Sequence, residues 1–222
     1  VIVAIDGPAG AGKSTVARLV ADRLGMGYLD TGAMYRALTL LALREGVSRD
    51  DGRELAALAA RHSIRIAPAD GSLRVLVNGE DVSVDIRTQA VTDAVSQVSA
   101  HADVRRAMVA LQREVLATGD WVADGRDIGT TVCPDAEVKV FLTADPGVRA
   151  ERRRGDLVAM GADVPIEEVR ADIERRDLLD STRDASPMRR APDAALIDTS
   201  GLSVAEVVER VAGLAARAGR SA

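Results

Sequence analysis

The run Gly7-Pro8-Ala9-Gly10-Ala11-Gly12-Lys13-Ser14-Thr15 follows directly on the apolar stretch Val1-Ile2-Val3-Ala4-Ile5, so a glycine-rich turn stands where a strand hands over to a helix. Its spacing is G-x-x-x-x-G-K-[ST]. In that form, backbone N–H groups and a helix N-terminus surround phosphate oxygens, the lysine reaches the terminal phosphates and the hydroxyl meets Mg²⁺. Average residue usage would place these four fixed positions by chance in roughly one sequence of this length in a hundred. Lys13 and Lys139 are the only lysines of an arginine-biased chain, so a lysine at the motif position is not a by-product of composition. Residues 7–15 are therefore read as a nucleoside-triphosphate site.

Around that loop, β-rich runs at 1–6, 27–29, 121–123, 138–143 and 195–197 alternate with helical patterns at 13–24, 33–44, 53–62, 104–117 and 204–216, whose apolar residues recur at three-and-four spacing. Strand followed by helix, repeated, predicts an α/β fold: a five-stranded parallel sheet with right-handed crossovers and helices on both faces. Between residues 63 and 84 the pattern changes to strict alternation punctuated by Asp70-Gly71 and Asn78-Gly79, the signature of a small antiparallel β insertion. A second interruption, with Gly155, Gly161 and Pro165 among charged residues before a helical run at 166–180, is read as a mobile flap spanning 150–166. At 222 residues without an internal repeat, both are excursions from a single domain, 1–222.

Composition removes several classes of partner. A net charge of −5 disfavours a dedicated surface for nucleic acid or anionic membrane, and only four aromatic residues, Tyr28, Tyr35, Trp121 and Phe141, leave little for base stacking. No apolar run approaches membrane-spanning length, and Val1 begins a strand-like run rather than a secretion signal. Cys133 is alone, which excludes an intrachain disulfide and suits a reducing, cytoplasmic setting.

A phosphate loop serves GTPases, ATP-driven motors and small-molecule kinases alike. The chain has no Asn-Lys-x-Asp to read guanine and no apolar strand ending in Asp-Glu. It carries instead Asp30-Thr31-Gly32-Ala33-Met34-Tyr35-Arg36 after the second strand and Asp124-Gly125-Arg126-Asp127-Ile128-Gly129 after the third, both at C-terminal strand ends, where open α/β sheets bind ligands.

Together with Ile86-Arg87-Thr88-Gln89, Ser96-Gln97-Val98-Ser99, Gly129-Thr130 and Arg176-Asp177-x-x-Asp180-x-x-Arg183, these motifs resemble the bacterial cytidylate kinases, in that family's order and over essentially the whole chain. The resemblance implies a P-loop nucleoside monophosphate kinase, monomeric and cytoplasmic, that moves the ATP γ-phosphate to CMP or dCMP with Mg²⁺. It implies an acceptor region over residues 31–105, with the acceptor phosphate near Thr31, Arg36 and Arg126. The base would lie near Ser96, Arg105 and Asp127, and the sugar near Tyr35, Arg176, Asp180 and Arg183. Gly7, Pro8, Ala9, Gly10, Ala11, Gly12, Lys13, Ser14 and Thr15 would hold ATP, with Arg149 and Arg153 closing over it from the flap. Ser14 and Asp124 would serve the metal, and Lys13, Arg126, Arg153 and Arg183 the transferred group.

Physical chemistry accommodates that assignment. Cytosine's amino donor and ring acceptors match a carboxylate, a hydroxyl and a guanidinium, which Asp127, Ser96 and Arg105 supply. Uracil would set its carbonyl against the carboxylate, so CMP is expected strongly over UMP. The acceptor is already an anion and needs no general base, whereas two polyanions need cations to meet. Plainer readings stand beside these. Arg36 and Ser96 fit solvated helix positions, Asp124 and Asp127 fit capping of nearby turns, and Arg149, Arg152, Arg153 and Arg154 fit a solvated helix face. Of Arg105 and Arg106 only one can face a site, and the motif selects Arg105. A kinase for UMP or for a hydroxyl-bearing metabolite, with Asp30 as base, is one alternative function. An ATP-controlled binding switch is another.

Overall fold

A computed structural model describes residues 1–69 and 72–219, so the expected Asp70-Gly71 turn lies outside the described residues. Among the described residues, β1 (Ile2–Asp6), β2 (Gly27–Asp30), β6 (Trp121–Gly125), β7 (Val138–Thr143) and β8 (Ala195–Asp198) form one sheet in the order β2-β6-β1-β7-β8. β1 pairs in parallel with β6 on one side and β7 on the other, and every one of its residues is buried. That is why its sequence is an unbroken apolar run rather than an alternation. The expected parallel sheet is present, with each strand beginning or ending within two residues of its predicted bound.

The helices are α1 (Lys13–Leu24), α2 (Thr31–Glu45), α3 (Gly52–Arg61), α4 (Gln89–Ala100), α5 (Ala102–Leu116), α6 (Pro146–Ala159), α7 (Ile166–Thr182) and α8 (Val204–Ala218). Periodicity had not marked out α4 or α6. The first is built of small residues, and the second is dense in arginine and acid. The expected flap thus contains residues 150–159, most of α6, and only residues 160–165 connect that helix to α7. α6 does carry a start signal, Asp145 accepting a hydrogen bond from Gly147 N–H with Pro146 in the first turn.

The β insertion is an antiparallel sheet of β3 (Ile64–Ala69), β4 (Ser72–Val77) and a third, short strand, β5 (Glu80–Asp81). Asn78 and Gly79 join β4 to β5 with φ of 52° and 88°, the two positive values that a type I′ hairpin turn requires.

The chain divides into two compact units. The first contains Val1–Tyr28, Thr118–Thr182 and the chain from Pro187 onward. Its core packs Val16, Ala17 and Val20 of α1 and Val207, Val208 and Val211 of α8 against Val3, Ile5, Val122 and Val140 of the sheet. The second contains Leu29–Ala117 and Arg183–Ser186, and buries Met34, Leu38, Leu55, Leu58, Ile86 and Met108.

Candidate active site

In the first unit, the glycine-rich loop leaves the end of β1 and runs into α1, so the helix presents its unpaired N–H groups and positive dipole end to the loop. Lys13 is buried and donates from Nζ to the Pro8 carbonyl at 2.8 Å. Burial, helped by the nearby Arg126 charge, lowers its pKa to about 7, while Asp124, Asp177 and Asp6 pull the other way. An anion held at the loop would restore the charge on this ammonium.

Ser14 Oγ donates to Asp124 Oδ2 at 2.9 Å, and the Tyr28 hydroxyl donates to the other oxygen at 2.8 Å. Asp124 is buried, with its two oxygens on Ser14 and Tyr28. A hydroxyl backed by a carboxylate is the hard oxygen set that Mg²⁺ takes, alongside phosphate oxygens and water. Among the described residues no group of three or more His, Cys, Asp and Glu could hold a metal, so an ion here would draw much of its coordination from a nucleotide.

Asp6, the last residue of β1, accepts from Ile128 N–H and Gly129 N–H, both at 2.8 Å. It thereby holds a π-helical turn, Ile128–Val132, at the end of the segment carrying Arg126 and Asp127. Burial pushes the Asp6 carboxyl up to about 6 in spite of these two donors. Asp127 is buried and makes no side-chain cap for that turn. Arg126 donates from Nε to Asp180 Oδ2 at 2.9 Å. Arg176 is held below the usual guanidinium range, first by burial and then by Arg126.

None of the four arginines of α6 lies on a fully solvated face. Arg149 donates to the Ala9 carbonyl at 3.0 Å and pairs with Asp177, and Arg152 holds both Thr199 Oγ1 at 2.9 Å and the Thr199 carbonyl at 2.8 Å. Beside the loop a cavity of about 340 Å³ is lined by Gly10, Gly12, Thr15, Arg152, Thr199 and Leu202 among others. Its size and mixed lining suit a nucleoside. The sequence reading gives no role to Asp6, Tyr28, Asp177 or Thr199, and Arg152, read there as part of a solvated helix face, is instead held on Thr199. Of these only Asp177 sat inside a quoted motif.

The second unit gathers other expected residues. Asp30 caps α2 by accepting from Ala33 N–H at 2.9 Å, leaving buried Thr31 at the head of the helix. Arg36 is half-buried and donates to the Ile86 carbonyl at 3.2 Å and to Thr92 Oγ1 at 2.9 Å. Arg105 is buried, with its guanidinium 5.2 Å from the Tyr35 ring centroid and one N–H on the Ser99 carbonyl at 3.2 Å. Arg106 is exposed and pairs with Asp103, so the two adjacent arginines do face different ways. Ser96 is buried on α4, where its carbonyl accepts from Ser99 Oγ at 3.3 Å. Arg183 donates from Nε to the Ser186 carbonyl at 2.8 Å.

The cytidylate kinase family model matches residues 3–217. The chain belongs to the cytidylate kinase family. Cytidylate kinase of Carboxydothermus hydrogenoformans is 51% identical over 94% of this chain and 94% of that protein. Its counterpart in Geobacillus kaustophilus is 53% identical over 94% and 93%. A gluconokinase structure from Sinorhizobium meliloti 1021 aligns with a TM-score of 0.51 at 17% identity, covering 98% of this chain and 93% of that one, a likeness of fold alone. No helix among the described residues is long and apolar enough to cross a membrane.

Proposed function

We propose that this chain transfers the γ-phosphoryl group of ATP to CMP and dCMP by direct in-line displacement, giving CDP and dCDP. The observation that carries the reading is the family match over residues 3–217. The donor's phosphates would lie on residues 7–15, its base and sugar in the cavity beside them. Arg149 would act through the loop, and Arg153 on the transferred group. Mg²⁺ would be held at the Ser14 hydroxyl with Asp124 behind it, and when bound would neutralise phosphate charge.

For the acceptor, Thr31, Arg36 and Arg126 are assigned to the phosphate, Ser96, Arg105 and Asp127 to cytosine, and Tyr35, Arg176, Asp180 and Arg183 to the sugar. The protein's work is to bring two polyanions together and to neutralise the moving oxygens, for which Lys13, Arg126, Arg153 and Arg183 supply charge. Asp30 bears on the choice of acceptor. It is the carboxylate a hydroxyl acceptor would call on as a base, and it is spent on capping α2. An acceptor that is already ionised needs no such base, which favours a nucleoside monophosphate over a sugar. Closure of residues 150–166 after both nucleotides bind would exclude water as a competing nucleophile. We place the enzyme in the cytoplasm as a monomer acting on small nucleotides.

The test is coupled ADP release across a panel of nucleoside monophosphates with ATP and Mg²⁺. Turnover should require CMP or dCMP; release that ignores the acceptor would mark a switch instead. Asp127→Asn should cut CMP selectivity over UMP by a large part of the ~10⁴-fold a polar-reading site can deliver, because an amide can offer its N–H to uracil's carbonyl. An unchanged CMP to UMP ratio would remove Asp127 from the base pocket.

A further inference from the structure

We propose that Asp177 is a positioning residue for the phosphate loop: with Arg149 it fastens Ala9 from outside, so that α6, α7 and the loop form one donor-binding element. The proposal rests on the kinase reading above only for the identity of the donor as ATP.

Three independent contacts converge on Ala9. Its N–H donates to Asp177 Oδ1 at 3.1 Å. Its carbonyl accepts from Arg149 Nη1 at 3.0 Å, and the same nitrogen pairs with Asp177 Oδ2. Its methyl packs with Ala150 and Leu157 of α6 and Val169 and Ile173 of α7. The neighbouring residue fits the same surface, since Gly10 has φ of +74° and a Cβ there would stand 2.8 Å from the Arg149 carbonyl oxygen. Val164 and Ile166, at the other end of the α6–α7 connection, pack on the same apolar cluster.

The need for such an anchor follows from the loop's own backbone. A turn that points its N–H groups at a ligand has no ladder of internal hydrogen bonds to keep it in shape. Each residue left to be ordered during binding would weaken binding by about five- to thirtyfold. A carboxylate so near a phosphate site would by itself repel a triphosphate. Its charge is matched by Arg149, and the two side chains are only 17% and 9% exposed. Arg149 offsets that repulsion, so the pair can shape the loop with the carboxylate's charge largely matched.

Equilibrium titration of ATP in the absence of acceptor, with Asp177→Ala, Asp177→Asn and wild type, decides the matter. Asp177→Ala should raise the Kd for ATP by about tenfold or more, as expected for a lost charge-assisted hydrogen bond and loosened loop. Asp177→Asn keeps an oxygen for Ala9 N–H but loses the ion pair, and should fall between the two. In turnover, KM for ATP should rise while KM for CMP stays within about twofold, a split that general destabilisation would not produce. A folded variant with wild-type ATP affinity overturns the proposal. Tighter ATP binding by Asp177→Asn also overturns it, since that is the mark of simple charge repulsion. If Asp177→Ala does not fold, the isosteric Asp177→Asn carries the same decision. Failure of the kinase reading would show separately, as wild-type protein that binds ATP but makes no CDP.

Discussion

Lys13 is the first residue of α1, buried, with its ammonium on the Pro8 carbonyl and its pKa drawn down to about 7. On the proposed mechanism, removing that charge would leave the moving phosphoryl oxygens without a preorganised donor. Lys13→Ala is expected to reduce kcat by about 10²-fold or more with KM for CMP within about twofold, checked by steady-state kinetics. The lysine was legible in the sequence because a six-residue glycine frame announces it. Ser14 and Asp124 were legible as types, though only the fold shows them joined. Asp6 and Tyr28 were not legible, because each acts on a partner 96 to 123 residues away and nothing local distinguishes it from a surface acid or a core aromatic; Asp177 lay inside a motif, but its bond to Ala9, 168 residues away, did not show. Arg105 and Arg106, adjacent and identical in type, were separated only by motif position, and the fold gives the physical difference: one is buried over Tyr35 and the other is exposed beside Asp103.

Elements were easier to read where one physical signal dominated. β1 and β7 could be placed from apolar β-branched runs, and α8 from its spacing, its Ser203–Glu206 capping box adding a start that the fold makes explicit. α6 and α4 were obscured because charge density and small side chains blur the apolar stripe that reveals a helix. β5, two residues long, has too little pattern to find alone; the Asn78-Gly79 pair before it is the stronger marker. That turn yields a test of the insertion. Gly79→Ala puts a Cβ on a residue with φ of 88° and should cost about 1 kcal/mol in urea unfolding; Asn78→Gly keeps the positive φ at ease but gives up the bond that Asn78 Oδ1 accepts from Ser63 N–H and the one between Asn78 Nδ2 and His62 Nδ1, and should cost about as much.

For the molecule as a whole, the parallel sheet and the β insertion were available from alternation alone, while the second unit's helical packing around Met34, Leu38 and Met108 was not. Global stability should carry a signature of the sheet's central strand. Asp6 is raised from 3.8 to about 6 by burial, so the folded chain holds its proton more tightly than the unfolded chain does. That contribution is complete below pH 4 and is lost as pH rises through 6. At about 1.4 kcal/mol per unit it amounts to on the order of 3 kcal/mol. Urea melts of wild type and Asp6→Asn from pH 4 to pH 7 should differ by a constant offset, from the N–H an amide cannot serve, plus this declining difference. A pH-independent gap would mean that Asp6 titrates normally. The fastening of Ala9 also limits how the chain can vary. The four residues between the first and last glycines of a phosphate loop are chemically open, yet here the second is bounded by the bore of an apolar socket and the third by a helix backbone. Substitution there is governed by steric room on the arm, so drift in the loop must wait for drift in α6 and α7.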